Sequence, residues 1–411
     1  MIREEAPKDS PSPGTEKGDL SGLIVVDLTH HVAGPFCTKL LADLGAEVIK
    51  IERPGVGDAA RWMGPFYKNG TGLEKSGLFL YLNSNKKSVT LNLKTATGKK
   101  LFRDLIEGAN LVVESFAPRV MPSLGLDFET LSPVNPRLVM ASISNFGQWG
   151  PYRDGKSSDL IAMAMSGMMF NCGHPSREPL KIGGYQAQYL AGLYGFLSAL
   201  AALYAVGRGG LGQHVDVSIF ECLPPCLEYA TILYGYTGAI AARGPGLPSF
   251  DYPHHLYPCQ DGHVAVLLGA LGIQALALLL GRAELSPPFA DASSRLAHRE
   301  ELDAILQPWL LGHTKREITR LGQELRMPVA PVLGADELLQ DEQCLSREFF
   351  VSVSHPATGP LLYPGAPFKM TETPWRSGRA PLLGENNYEV YCQRLGLSRT
   401  DLVKMREAEI V

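Results

Sequence analysis

Residues 23–54 read LIVVDLTHHVAGPFCTKLLADLGAEVIKIERP, and this stretch decides the fold. LIVVDL (23–28) is a short apolar run of strand length, and EVIKIERP (47–54) opens on a second. Between them, after the loop THHVAGPF (29–36), CTKLLADLG (37–45) is helix-like and closes on Gly45, the residue type that most readily ends a helix. Strand, helix and strand make a βαβ unit, which implies a parallel sheet. The pattern then repeats. SVTLNL (88–93), LVVES (111–115) and LVMASIS (138–144) read as strands, with TATGKKLFRDLIEGA (95–109) as a helix between the first two. Together they predict a doubly wound α/β domain that holds its ligands at the C-terminal ends of the strands.

The glycines restrict which ligands those are. HHVAGPF has one glycine where the dinucleotide fingerprint G-x-G-x-x-G needs three, which argues against NAD or FAD. Gly207-Arg208-Gly209-Gly210-Leu211-Gly212 follows a helix and precedes the strand HVDVSI (214–219), the reverse of P-loop order, and reads as a helix-to-strand turn.

The chain has 411 residues, enough for two domains, and its 38 basic and 42 acidic residues are spread without blocks. A net charge of −4 offers no electrostatic footprint for nucleic acid or an anionic membrane, so a small-molecule substrate is expected. The seven cysteines form no CxxC pair and read as reduced thiols of a cytoplasmic protein. His254-His255 and His30-His31 lack a third ligand at metal spacing, so no metal is expected. The run YLAGLYGFLSALAALYAV (189–206) carries no charge, yet its Ala, Gly, Ser and Tyr content suits a buried core helix better than a membrane span. Residues 1–20 have charge and proline where a signal peptide needs an apolar centre, and read as a disordered tail.

Beyond Glu221 the pattern changes. Residues 223–331 hold proline- and glycine-rich turns, a strand-turn-strand (HLYPCQDGHVAVLL) and helical runs near 272–281, 299–312 and 315–325, which together predict a smaller α+β domain. The remaining strand pair (VSVSHPATGPLLYPGAPF) and an amphipathic helix near 385–396 are too few to stand alone. They return to the large Rossmann-like domain, which is expected to comprise 21–222 and 332–411.

The blocks VVDLTHHVAGPFCTKLLADLGAEVIKIERPGVGD, NSNKKSVTLNLKTATG, LVVESFAPRVMPSLGLDFETL, NPRLVMASISNFGQWGPY, GQHVDVSIFE, LYPCQDGHVAV and APLLGENNYEV carry a resemblance. In that order the chain resembles the family III CoA-transferases, a group that includes carnitine CoA-transferase, formyl-CoA transferase and the α-methylacyl-CoA racemases. The resemblance implies a large Rossmann-like domain built from both chain ends, a small inserted domain, and two subunits interlocked as a dimer. It also implies acyl-CoA and a carboxylic acid as substrates.

Moving CoA between acids without ATP needs a nucleophile that holds the acyl group at anhydride energy, which a carboxylate does and a serine does not. The resemblance implies an aspartate for this in the loop after the MSG helix, which here reads Gly173-His174-Pro175-Ser176-Arg177-Glu178-Pro179. Ser176 occupies the aspartate's place, Glu178 is the only carboxylate in the loop, and Asp159 is implied to order the pocket wall. For coenzyme A the resemblance implies His31, Arg53, Leu91, Lys94 and Phe116, with the two cations on phosphates and Phe116 near the adenine. An arginine expected just after Phe116 is Ser123, with Arg119 near, and a cation near Asn145 is also missing. The loop covering the site falls in LLGALGIQ (267–274). Racemase chemistry is disfavoured, because Ser158 and Gly184 stand where that branch needs histidine and aspartate.

Three readings follow. The chain is an aspartate-lacking subunit paired with an active paralogue, as in benzylsuccinate CoA-transferases; or a homodimer using Glu178; or a CoA-binding regulatory protein without activity.

Overall fold

The computed structural model describes residues 18–243, 252–268, 272–283, 285 and 288–411. It divides into two compact units, one of residues up to Cys172 with Leu180–Ile240 and Glu348–Val411, the other of Gly173–Pro179 with Ala241–Arg347. Most of the expected tail, 1–17, lies outside the described residues, as do 269–271 of the covering loop.

The first unit is built on six parallel strands, β1 (Ile24–Leu28), β2 (Glu47–Glu52), β3 (Lys87–Thr90), β4 (Leu111–Glu114), β5 (Val139–Ser144) and β6 (His214–Ser218). Their order is β3-β2-β1-β4-β5-β6, the doubly wound arrangement expected from the sequence. Alternating strand residues bury two faces. Val25, Leu111, Val113, Ala141 and Ile143 face α1 (Ala33–Asp43), while Val26, Leu28, Ile49, Ile51, Val89 and Val112 face α2 (Ala96–Glu107). Thr95 caps α2 by accepting from Gly98 N at 3.0 Å. The chain enters α1 four residues earlier than the sequence suggested, because Pro35 sits in the first turn, where a missing N–H costs nothing.

Next come α3 (Asp159–Met165), α4 (Gln186–Gly207) and α5 (Glu228–Thr237). Helix α4 is long and apolar enough to cross a membrane by length and composition. One face, through Ala187, Ala191, Gly195, Ala199, Ala202 and Val206, is buried. Small residues permit the close approach: a Cβ on Gly192 would stand 2.6 Å from Ala33 O, and one on Gly195 2.7 Å from Ile143 Cδ1. The expectation of a buried core helix therefore holds for one face only, since Leu193, Leu197 and Tyr204 are exposed.

The second unit contains an antiparallel sheet of β7 (His254–Cys259), β8 (Gly262–Leu267) and β9 (Val329–Pro331), with α6 (Ile273–Leu279), α7 (Arg299–Leu311) and α8 (Lys315–Glu324). These elements close on Tyr257, Val264, Val266, Leu276, Leu302, Leu306, Leu310 and Ile318. Tyr252 and Tyr257 both donate to Asp303 Oδ1, at 2.7 and 2.8 Å. A hairpin of β10 (Phe350–His355) and β11 (Gly359–Pro364) belongs to the first unit. The helix expected near 385–396 is a seven-residue π-type turn, Tyr388–Arg394, followed by α9 (Arg399–Glu407). That last helix escaped the sequence because its apolar stripe is thin and most of its residues are charged.

Candidate functional site

The strand order reverses between β1 and β4, which puts the ligand crevice outside their C-terminal ends. Register defines what lines it. Asp27 pairs with Lys50, Leu28 with Glu114, and Glu52 with Thr90. Just past the last bridges the four strand ends carry a row of Leu91, Arg53, His30 and Phe116, where Leu91 N donates to Glu52 O at 2.8 Å and the rings of His30 and Phe116 lie 5.2 Å apart. Leu91 and Phe116 pack on the α2 face of the sheet. Arg53 and Lys94 are exposed, and among the described residues neither side chain has an ion-pair or hydrogen-bond partner. His31, expected in this site, is exposed and sits in the left-handed region at φ 65°, its N–H donating to Asp58 Oδ1 at 3.1 Å. His30 N donates to Ser115 Oγ at 2.9 Å, tying the two loops together.

Behind the row lies a buried ionic network. Asp58 accepts from Ala60 N at 2.8 Å and pairs with Lys50 Nζ at 2.8 Å. Burial alone would raise the Asp58 pKa, but Lys50 and His30 hold it well below the usual carboxylate range. Lys50 Nζ also donates to Thr29 O at 2.8 Å. Asp27 accepts from Thr29 N at 2.8 Å, Thr38 Oγ1 at 2.7 Å and Lys86 Nζ at 3.0 Å. Against burial, Lys50 and Lys86 bring the Asp27 pKa down to about 2, while burial lowers that of Lys86 to about 8. Sequence reasoning missed this network. The available signal was a charge, Asp27 or Lys50, inside each apolar strand.

Glu114, at the end of β4, is buried and accepts from Phe116 N at 2.7 Å. Burial and the nearby Asp216 carboxylate raise its pKa from 4.5 to about 7, opposed by the Ser142 hydroxyl and the Phe116 amide. The folded chain therefore holds a proton there that the unfolded chain releases near pH 4.5, and stability falls as pH rises through that window to about 7. Glu114→Gln keeps the acceptor for Phe116 N and removes the charge. It is expected to flatten the pH dependence of stability between pH 5 and 8 by on the order of 3 kcal/mol. Denaturant unfolding at the two pH values checks this, and an unchanged difference would refute it.

Ser176 and Glu178 lie in the segment Gly173–Pro179 of the second unit, whereas Asp159 and the residues of the row lie in the first. Ser176 is exposed, its Oγ 2.8 Å from His174 Nδ1, and Ser176 N donates to the same nitrogen at 3.2 Å. That is a local turn contact. Glu178 is exposed and has no hydrogen-bond or ion-pair partner among the described residues. Asp159 opens α3 after the Ser158 cap, is buried, pairs with Lys181 Nζ at 2.8 Å and accepts from Gln188 N at 3.3 Å. With its carboxylate so engaged, Asp159 joins the start of α3 to the start of α4. Among the described residues no group of three or more His, Cys, Asp or Glu is placed to hold a metal ion.

An open parallel sheet with its switch point between β1 and β4, accompanied by a small α+β unit, defines a doubly wound α/β protein. The sequence pattern of CoA-transferase family III matches residues 20–387. Succinyl-CoA–D-citramalate CoA-transferase of Chloroflexus aurantiacus is 34% identical over 401 residues, covering 95% of this chain and 98% of that protein. The succinyl-CoA–L-malate CoA-transferase alpha subunit of Chloroflexus aurantiacus is 32% identical over 414 residues, covering 98% and 95% respectively. The crystal structure of a CAIB/BAIF family protein from Brucella suis superposes with a TM-score of 0.83 at 31% identity, covering 92% of this chain and 100% of that one. The chain belongs to CoA-transferase family III and is an enzyme of that class, whose substrates are CoA thioesters.

Proposed function

We propose that this chain is one subunit of a two-subunit CoA-transferase, binding coenzyme A while a related subunit supplies the nucleophilic aspartate. The observation that carries this reading is Ser176 at the nucleophile's place in a chain that otherwise keeps the family's fold and block order. In the reaction the aspartate carboxylate attacks the thioester carbonyl, a C–O bond forms, and the C–S bond breaks with its electron pair leaving on the CoA sulfur. The thiolate then attacks the aspartyl carbonyl of the anhydride, releasing the donor acid and leaving an aspartyl thioester for the acceptor acid. A serine ester lies too low in energy for thiolate return, so Ser176 cannot stand in. His31, Arg53, Leu91, Lys94 and Phe116 hold the CoA, with Arg53 and Lys94 on phosphates. Both relatives described above are named for succinyl-CoA and a short hydroxy-dicarboxylic acid, which supports an acceptor of that class; one is named as a subunit, which supports a heteromer.

An interlocked partner is supported by the apolar surface left open. Leu193, Leu197 and Tyr204 on α4 and Ile232, Tyr234 and Tyr236 on α5 are exposed, and α5 has no buried residue. Such a surface suits a second, related chain. The free thiols fit a cytoplasmic enzyme.

A second reading, a self-sufficient homodimer, is favoured by the unengaged Glu178. One experiment separates them. The chain is assayed for CoA transfer from succinyl-CoA to a dicarboxylic acid, alone and mixed with a paralogue that has the aspartate, followed by hydroxylamine trapping. Activity only in the mixture, with label on the partner, is expected. Full activity of the lone chain that Glu178→Gln abolishes overturns the heteromer and establishes the homodimer. CoA binding without activity in any mixture would leave a regulatory protein.

A further inference from the structure

The transfer reaction leaves unused a polar row on the α2 face of β4, β5 and β6. Register pairs Glu114 with Ser142 and Ser142 with Asp216, and His214, two residues before Asp216, points to the same side. Val112 and Met140 on that side belong to the apolar core, so the row is a polar seam that runs from the sheet interior to its edge strand, β6. We propose that Glu114, Ser142 and His214 form a two-state proton relay, in which the protonation of the buried carboxyl sets the tautomer of the imidazole at the open edge of the sheet.

The contacts make a continuous path. Glu114 is buried and accepts from Phe116 N on Oε2 at 2.7 Å, and its carboxyl also meets the Ser142 hydroxyl. Ser142 Oγ stands 2.9 Å from His214 Nε2. The imidazole is stacked on Phe128, with centroids 5.9 Å apart at 16°, which keeps its Nε2 edge toward Ser142 while the residue itself is exposed. A hydroxyl has one hydrogen, so Ser142 donates either to Glu114 or to His214 and never to both.

Two states follow from that count. With Glu114 as the acid, its O–H donates to Ser142 Oγ, Ser142 donates to a bare Nε2, and the ring proton sits on Nδ1. With Glu114 as the carboxylate, Ser142 turns to donate to it, and Nε2 carries a proton that it donates to Ser142 Oγ. Between the two, the Glu114 O–H bond breaks, Ser142 takes up that proton and gives its own to Nε2, and Nδ1 releases its proton to water. One proton leaves for one charge formed, and the new carboxylate meets two donors, Phe116 N–H and Ser142 O–H. The charged groups facing this path are Asp216, which accepts from Gln148 N at 2.9 and 3.0 Å and acts on both ends, and Glu129 of the helical turn Phe128–Leu131, which acts on His214. Burial lowers the His214 pKa against these two carboxylates, so the ring is already neutral where Glu114 titrates. On the other sides, β1 sets Leu28 beside Glu114 and α2 buries Leu101, Phe102 and Leu105 on this face. An edge histidine serving structure alone would also stack on Phe128, but its tautomer would not follow Glu114.

The test is NMR of the ring nitrogens in the full chain with isotopically labelled histidine, His214 being identified by the signal that His214→Asn removes. In the wild type Nε2 is expected to pass from bare to protonated as pH rises through neutrality. The midpoint is expected to coincide with loss of the carboxylic-acid infrared band that Glu114→Gln removes. Glu114→Gln, whose amide is a permanent donor to Ser142, is expected to keep Nε2 bare throughout. Ser142→Ala is expected to uncouple the pair, Glu114 still losing its band while Nε2 no longer follows. An unchanged Nε2 in the wild type overturns the inference whatever the variants do. A change that persists in Ser142→Ala also overturns it, since charge acting through space would produce that without a relay.

Discussion

Asp27→Asn is expected to cost about 3–5 kcal/mol of folding stability, the usual penalty for breaking a buried ion pair by removing one partner. Asp27 is wholly buried at the centre of the sheet, with Lys86 Nζ at 3.0 Å and Lys50 Nζ at 4.0 Å. Neutralising it takes the carboxylate partner from Lys86 and leaves Lys50 with Asp58 alone, and the new amide N–H group meets the hydroxyl donor of Thr29 or of Thr38. The same group gives the sign of a pH effect. Its folded pKa is depressed from 3.8 to about 2, so its stabilisation is present above 3.8 and is lost as pH falls through about 2. Urea unfolding at neutral pH measures the cost. A loss under about 1 kcal/mol would mean that the network adds little beyond its shape. Removing both charges, as in Asp27→Leu with Lys86→Met, is expected to recover part of the loss, because two charges no longer need burying.

Arg61→Ala is the other large effect, again about 3–5 kcal/mol from a stranded buried carboxylate. Arg61 is fully buried and holds Glu52 through both oxygens, at 2.7 and 2.9 Å. It also reaches Glu74 Oε2 at 2.6 Å and the Pro381 carbonyl at 3.3 Å, and lies over the Phe79 ring at 3.7 Å. One guanidinium thus joins the end of β2, the segment before residues 77–82 and the returning C-terminal chain. Since Glu52 also accepts from Asp58 N at 2.9 Å, losing Arg61 is expected to loosen the loop that carries Asp58 and orients His30. Arg61→Lys should recover less than half, because an ammonium cannot match a fork to two oxygens and stack on Phe79 at once. Thermal unfolding with limited proteolysis of residues 53–76 tests both variants. Wild-type stability in the lysine variant would show that charge alone suffices.

Much of this protein was readable in order along the chain. The βαβ pattern of residues 23–54 determined a doubly wound parallel sheet, since strand and helix periodicities are local properties of side-chain spacing. Block order determined the family, and with it CoA thioester chemistry. The loop Gly173–Pro179 likewise showed Glu178 as its one carboxylate. What the tertiary structure decided depends on distance in sequence. Lys86 meets Asp27 across 59 residues and Arg61 meets Pro381 across 320, so no window of sequence shows that these charges are buried together. The same holds for the row. Leu91, Arg53, His30 and Phe116 follow four different strands and are brought to one end of the sheet only by its parallel strand order. The open faces of α4 and α5 were hidden for a related reason: hydrophobic spacing tells which residues avoid water, while only the packed chain shows which of them found no cover.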